Sequence, residues 1–146
     1  MNPTVGIVVP VFNEASRWNK KYWADFLALP KTSWTFVNDG SSDGTGQLLE
    51  ELAVEHANVE VRNLPSNVGK AEAVRHGQLN LLSQDSFRWA RFMDADGAFR
   101  SDDVEALLEA CLGLSADTAV GALWSLRIAL SGHDTQRSCG ATTLDV

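Results

Sequence analysis

Short apolar runs alternate with longer segments of helical periodicity through residues 5–126 of this 146-residue chain. Runs of β-branched and aromatic residues bounded by turn residues predict strands, and apolar residues at i, i+3, i+4 and i+7 predict helices. The predicted strands are 5–10, 33–38, 59–64, 88–93 and 118–126, and helical patterns lie between them. Regular alternation of this kind predicts an α/β fold, with a mostly parallel sheet, right-handed crossovers and helices on both faces.

The middle residues of these strands are the expected core. A parallel sheet covered on both faces buries its strands on both sides. We therefore predict that Val8, Val37, Phe92 and Val120 are deeply buried. The first predicted helix, 15–29, carries aromatic residues at i, i+4 and i+8, which are Trp18, Tyr22 and Phe26.

Polar loops follow the first four predicted strands. Each is rich in Asn, Asp, Gly or Ser, and they cover residues 10–14, 39–45, 65–70 and 94–97. The carboxyl ends of parallel strands meet at one edge of the sheet, and ligands of open α/β sheets bind there. We expect the four loops to converge on one ligand site.

The fourth loop brings two carboxylates together. The apolar run 87–93 leads directly into Asp94-Ala95-Asp96-Gly97. Residues i and i+2 of an extended chain point the same way, and two hard oxygen ligands suit Mg²⁺ or Mn²⁺. Asp94 and Asp96 are thus candidate metal ligands, although an isolated Asp-x-Asp also arises by chance.

The second and third loops offer groups that suit a nucleotide. Asp39 ends a strand and could accept hydrogen bonds from a base N–H or a ribose hydroxyl. The alternative is an ordinary strand-to-helix turn in which Ser42 or Asp43 caps the next helix. Lys70 could supply a point charge to a phosphate, or it could be a solvated lysine at a helix start.

Composition restricts the partners. The formal net charge of −7 argues against a nucleic-acid polyanion but allows a nucleotide neutralised by a divalent cation. The chain has no signal-peptide pattern and no apolar run of the roughly 18 residues that a transmembrane helix needs. Cys111 and Cys139 lack Cys-x-x-Cys spacing and are interpreted as free thiols, so we expect a cytoplasmic protein.

Taken together, four strings in this order and spacing resemble family 2 glycosyltransferases of the GT-A fold. The sequence around Lys70 and Asp94 is most similar to that of the polyprenyl-phosphate (dolichyl-phosphate-like) glucosyl- and mannosyltransferase branch. The resemblance covers residues 5 to about 126. The strings are Val9-Pro10-Val11-Phe12-Asn13-Glu14, Val37-Asn38-Asp39-Gly40-Ser41-Ser42-Asp43-Gly44-Thr45, Asn67-Val68-Gly69-Lys70-Ala71 and Asp94-Ala95-Asp96.

This resemblance implies a Rossmann-like GT-A half and an inverting transfer from a UDP- or GDP-sugar, with Mg²⁺ or Mn²⁺, to a polyprenyl phosphate or glycan. Such a chain would be cytoplasmic, peripheral to the inner face of a membrane. Asp39 would bind the base, Asp94 would face the ribose or the metal, and Asp96 would hold the metal. The implied nucleotide-sugar site is Pro10, Val11, Phe12, Glu14, Asp39, Asn67, Gly69, Lys70, Asp94, Ala95 and Asp96.

The C-terminal part departs from the family pattern. Residues 1–126 are interpreted as the nucleotide-sugar-binding domain and 127–146 as an irregular tail in which the acceptor segment is missing. The family's downstream carboxylate base is not recognisable, although a homodimer could supply one from a second chain. We expect this chain to bind the donor and to transfer sugar poorly. A nucleotide-sugar-binding module without transfer activity is therefore the alternative.

A haloacid-dehalogenase-like phosphatase is a further alternative. In that class Asp94 would be the nucleophile and Asp96 the acid/base. The chemistry requires a lysine downstream of the two carboxylates, whereas every lysine of this chain precedes Asp94. The sequence therefore favours the glycosyltransferase interpretation.

Overall fold

The computed structural model describes residues 5–113, which form a parallel four-stranded sheet with helices. The predicted strand 118–126 and Val120 lie outside the described residues. A single turn of 3₁₀ helix, Ala15–Arg17, precedes the first α-helix. The elements are β1 (Val5–Val11), α1 (Lys20–Leu27), β2 (Thr32–Asn38), α2 (Thr45–Glu55), β3 (Val59–Asn63), α3 (Lys70–Leu82), β4 (Trp89–Phe92) and α4 (Ser101–Gly113).

The chain divides into two compact units between Asp102 and Asp103. The first unit holds the sheet and the helices α1 to α3. Of the second unit, the described part is the remainder of α4. None of the helices in residues 5–113 is both long and apolar enough to cross a bilayer.

Strand order creates a crevice at one point of the sheet. The order is β3-β2-β1-β4, with every neighbouring pair parallel. The chain moves outward from β1 through β2 to β3 and then returns across the sheet to β4. The direction of winding therefore reverses between β1 and β4, and such a switch point is where open α/β sheets bind ligands.

Aromatic residues form the core on one face of the sheet. Trp34 and Phe36 lie two residues apart on β2, so they share a face and meet Trp23 and Phe26 of α1. Ring centroids are 5.0 Å apart for Trp23 and Phe36 and 5.9 Å apart for Phe26 and Trp34. All four side chains are essentially fully buried. Aromatic burial therefore holds α1 on this face.

Small and aliphatic residues form the core on the opposite face. Val8 and Val37 pack there against Ala73 and Leu81 of α3. A Cβ on Gly77 would lie 2.5 Å from Val8 Cγ1, so glycine lets α3 approach the sheet closely. The predicted α/β class, with a parallel sheet and helices on both faces, is confirmed, as is the burial of Val8 and Val37.

The predicted burial of Phe92 is wrong. Its side chain is 50% exposed, although β4 is a strand as expected. Within residues 5–113, β4 pairs only with β1, and Phe92 is its last residue. The apolar pattern predicts the strand correctly but does not reveal its place at an edge of the described sheet.

The first helix begins later than its aromatic spacing suggests. Trp18 lies before α1 with an extended backbone, φ −64° and ψ 123°. Asn19 caps α1, because its Oδ1 accepts a hydrogen bond from the Tyr22 backbone N–H at 3.0 Å. A local capping interaction therefore sets the helix start.

Candidate functional site

The carboxyl ends of the four strands surround a cavity of about 310 Å³. The four polar loops converge there, as the alternation of elements predicts. Every residue proposed from the sequence as part of a nucleotide-sugar site contributes to its lining, while the individual roles stay predictions. The lining residues are Pro10, Val11, Phe12, Glu14, Asp39, Asn67, Gly69, Lys70, Asp94, Ala95 and Asp96.

Hydrogen bonds join the loops after β1 and β2. Asn13 Oδ1 accepts from the Ser42 N–H at 2.9 Å, and the Asn13 N–H donates to Ser41 Oγ at 2.9 Å. The buried Thr45 Oγ1 accepts from the Glu14 N–H at 2.9 Å. Sequence reasoning did not single out Asn13 or Thr45, because their partners are distant in the chain. These bonds fix one wall of the cavity.

Asp43 stabilises the same wall of the cavity and is not the N-cap residue of α2. The residue at the N-cap is Gly44, and the Asp43 carboxylate accepts hydrogen bonds from the hydroxyl and the backbone N–H of Thr45. The Thr45 hydroxyl is the largest cause that lowers the pKa of Asp43 below its ordinary value, because it stabilises the charged form. The Asp43 carboxylate therefore bonds to the first residue of α2 from one position before the N-cap.

The lowered pKa of Asp43 predicts a pH-dependent contribution to stability. A folded-state pKa below the unfolded one stabilises the fold above the unfolded pKa, and this stabilisation is lost as the pH falls through the folded pKa. The Asp43→Asn variant should therefore be less stable than the unsubstituted protein near neutral pH. The difference in their free energies of unfolding should shrink as the pH drops below about 3.9, the usual aspartate pKa. Urea unfolding of both proteins across this range measures the difference. A difference in the free energy of unfolding that stays constant with pH would contradict the lowered pKa of Asp43.

Asp39 is buried and holds the loop between β3 and α3. Its Oδ1 accepts from the Val68 N–H at 2.8 Å, and its Oδ2 accepts from the Gly69 N–H at 3.0 Å. Its own N–H donates to the Val11 carbonyl at 2.9 Å. Gly69 has φ +92°, a conformation that glycine adopts without strain. Asp39 thus connects three of the four loops, a role that its position after a strand did not reveal.

Gly40 lets the second and third loops touch. It has φ +67°, and a Cβ there would lie 2.4 Å from the backbone nitrogen of Asn67. Any side chain at this position would collide with main-chain atoms that cannot rotate away. The close approach keeps the loop after β3 against Asp39.

Lys70 forms an ion pair across the cavity with Asp94. Lys70 Nζ lies 2.6 Å from Asp94 Oδ1, and the side chains are 59% and 35% exposed respectively. Asp96 stands in the same lining, and its Oδ1 accepts from the Ala98 N–H at 3.1 Å. Gly97, with φ +76°, makes the turn after Asp96. The two candidate metal ligands therefore differ, because only Asp94 is paired with a lysine.

The carboxylate oxygens of Asp94 and Asp96 suit a cation that also binds a ligand. Among residues 5–113, no group of three or more His, Cys, Asp and Glu side chains is placed to hold a metal ion. Asp94 and Asp96 could provide two oxygen ligands, leaving other positions to phosphate oxygens and water, as is usual for Mg²⁺. The Lys70 ammonium at Asp94 shows that a positive charge is already accommodated there. The residues thus fit a divalent cation that takes its remaining ligands from outside the chain.

A second cavity, of about 230 Å³, adjoins the first and shares Glu14, Ala95 and Asp96 with it. Arg17 lines it and pairs with Glu14, with Nη2 and Oε1 2.6 Å apart. Sequence reasoning missed Arg17, although its spacing of three residues from Glu14 was a usable signal. The pair neutralises one acid at the border of the two cavities.

The fold and the site define a doubly wound α/β domain with an acid-rich ligand cavity at its topological switch point. The model of the family described as "Glycosyl transferase family 2" matches residues 6–127. The chain belongs to glycosyl transferase family 2, as the resemblance of its four strings indicates.

Individual relatives agree with this family. The chain is 32% identical over 109 residues to a dolichyl-phosphate beta-glucosyltransferase of Trichomonas vaginalis, covering 68% of this chain and 31% of that protein. It is 30% identical over 124 residues to a polyprenol monophosphomannose synthase of Mycolicibacterium smegmatis, covering 79% of this chain and 43% of that protein. The chain thus spans less than half the length of either relative.

A solved structure shows the same fold. The structure of S. aureus TarS 1-349 in complex with UDP-GlcNAc matches with a TM-score of 0.55 and 20% sequence identity. The match covers 73% of this chain and 31% of the TarS 1-349 chain. The GT-A fold implied by the sequence resemblance is confirmed.

Proposed function

We propose that the chain binds a nucleoside diphosphate sugar, a UDP- or GDP-sugar, in the 310 Å³ cavity with Mg²⁺ or Mn²⁺, as the donor half of an inverting glycosyltransferase. The observation that carries this proposal is the convergence of Asp39, Lys70, Asp94 and Asp96 on one cavity at the switch point of the sheet. These residues come from three different loops, so their meeting is a property of the fold. Membership of glycosyl transferase family 2 supports the reaction class.

Each part of the cavity suits one part of the donor. Each carboxylate oxygen of Asp39 accepts one hydrogen bond from a backbone N–H of the loop after β3. A second lone pair on each oxygen remains free to accept from a base N–H. Phe12 is 45% exposed and offers an apolar ring beside the cavity. Lys70, which lines the same cavity, would meet the diphosphate. Asp96, with Asp94, would hold the cation, which stabilises negative charge on the departing nucleoside diphosphate.

A polyprenyl phosphate is the acceptor that we favour. The relatives named as acting on dolichyl phosphate or making polyprenol monophosphomannose point to that acceptor class. A phosphate monoester is largely ionised at neutral pH, with a second pKa of about 6, so it can attack without a protein base. Transfer to such a lipid would take place at the inner face of a membrane, with the chain on the cytoplasmic side.

Donor binding should depend on the cation. In calorimetric titrations with UDP, GDP and their sugars, removing Mn²⁺ with a chelator should weaken binding by about 5–150-fold, the usual range for coupling between two ligands. Asp96→Asn should abolish this dependence, because it removes the carboxylate that has no ion-pair partner among the described residues. Asp102→Asn is the matched control, since Asp102 is exposed and does not line the cavity. Failure of every nucleotide to bind in the presence of Mn²⁺ would overturn the proposal.

A further inference from the structure

We propose that Lys70 couples cation binding to nucleotide binding: its ammonium neutralises Asp94 before the ligands bind and transfers to the donor diphosphate when the cation is bound. The inference rests on the proposed function and adds to it a defined role for one ion pair. The observation behind it is the 2.6 Å distance between Lys70 Nζ and Asp94 Oδ1.

The charges of the lining make either ligand alone a poor fit. Four carboxylates line the cavity, those of Glu14, Asp39, Asp94 and Asp96; Arg17 pairs with Glu14, and the lining ammonium of Lys70 faces the other three. A diphosphate without a cation meets this excess of negative charge. A cation without a diphosphate must compete with Lys70 for Asp94. Binding both together relieves both conflicts, because the cation takes the carboxylates and the ammonium takes a phosphate.

The geometry allows Lys70 to move while its backbone stays in place. Asp39 fixes the N–H groups of Val68 and Gly69, the two residues before Lys70, and Lys70 is the first residue of α3. The side chain itself is 59% exposed, so its ammonium can leave Asp94 without unpacking any core. The fixed backbone and the mobile ammonium together allow Lys70 to exchange between two nearby anions.

Substituting Lys70 tests the exchange with Mn²⁺ alone. Free Mn²⁺ measured by electron paramagnetic resonance should show that Lys70→Met binds the cation about 5-fold or more tightly than the unsubstituted chain, because Asp94 has lost its competitor. Lys20→Met is the control for simple loss of a positive charge, since Lys20 does not line the cavity. Lys70→Arg should keep the weaker cation binding. Circular dichroism establishes that the variants are folded.

Nucleotide titrations complete the test. With saturating Mn²⁺, Lys70→Met should bind UDP or GDP about 5-fold or more weakly, while its affinity for the uncharged nucleoside stays unchanged. If Lys70→Met binds Mn²⁺ equally or more weakly, Lys70 only holds Asp94 in place, and the inference is overturned while the proposed function stands. If the unsubstituted chain binds no nucleotide, both are overturned.

Discussion

Asp39→Asn is expected to destabilise the chain and to weaken nucleotide binding by more than about tenfold, which corresponds to about 1.4 kcal/mol. The carboxylate of Asp39 accepts two backbone N–H groups, from Val68 and Gly69, in a buried position. An amide of the same shape has one acceptor oxygen, so one N–H would face an NH₂ group. Losing a hydrogen bond to a buried charged group typically costs about 1.5–3 kcal/mol.

The binding effect has a second cause besides loss of the base contact that we propose for Asp39. The same two hydrogen bonds place Lys70 opposite Asp94, so releasing the loop also disturbs the charge arrangement of the cavity. Urea unfolding and calorimetry with UDP or GDP measure the two effects separately. Asp25→Asn is the control, because Asp25 is an exposed acid on α1 away from the cavity. An Asp39→Asn variant with unaltered stability would show that the two N–H bonds do not hold the loop.

Phe36→Ala should cost about 3–5 kcal/mol in the free energy of unfolding, the usual range for a large buried aromatic residue. Phe36 is fully buried in the middle of β2 and contacts Trp23 and Trp18, with ring centroids at 5.0 and 5.8 Å. Truncation leaves a cavity that the surrounding rings can fill only in part. Since whole domains have about 5–15 kcal/mol of stability, this single change should be severe.

Phe92→Ala provides the matched comparison. The chemical change is identical and the sheet is the same, but Phe92 is 50% exposed at the end of β4. We expect a cost of about 0.8–1.5 kcal/mol, half of the usual value for full burial, since roughly half of the aromatic surface is already in water. Urea unfolding of the two variants under one condition measures the difference. Equal costs would mean that exposure does not govern the contribution of these strand residues.

Much of the architecture is determined by local sequence. The alternation of β-branched runs with helical spacing predicts a parallel sheet, and the predicted strand 33–38 agrees with the observed Thr32–Asn38 within one residue. The polar loops at strand ends predict a site at one edge, because parallel strands all point the same way. The individual lining residues follow from the resemblance of four strings to family 2 glycosyltransferases, because periodicity alone predicts the edge of the sheet and not the residues.

The contacts within that site depend on which strands become neighbours, and only the tertiary structure decides this. The order β3-β2-β1-β4 brings Asp39 to the N–H groups of Val68 and Gly69, and Lys70 to Asp94. The same order leaves Phe92 half exposed, although its local pattern resembles that of buried Val8. Periodicity and turn residues report interactions between residues close in the chain. Partners such as Asp39 with Val68 and Gly69, which are 29 and 30 residues apart, meet only after crossover helices have packed on the sheet.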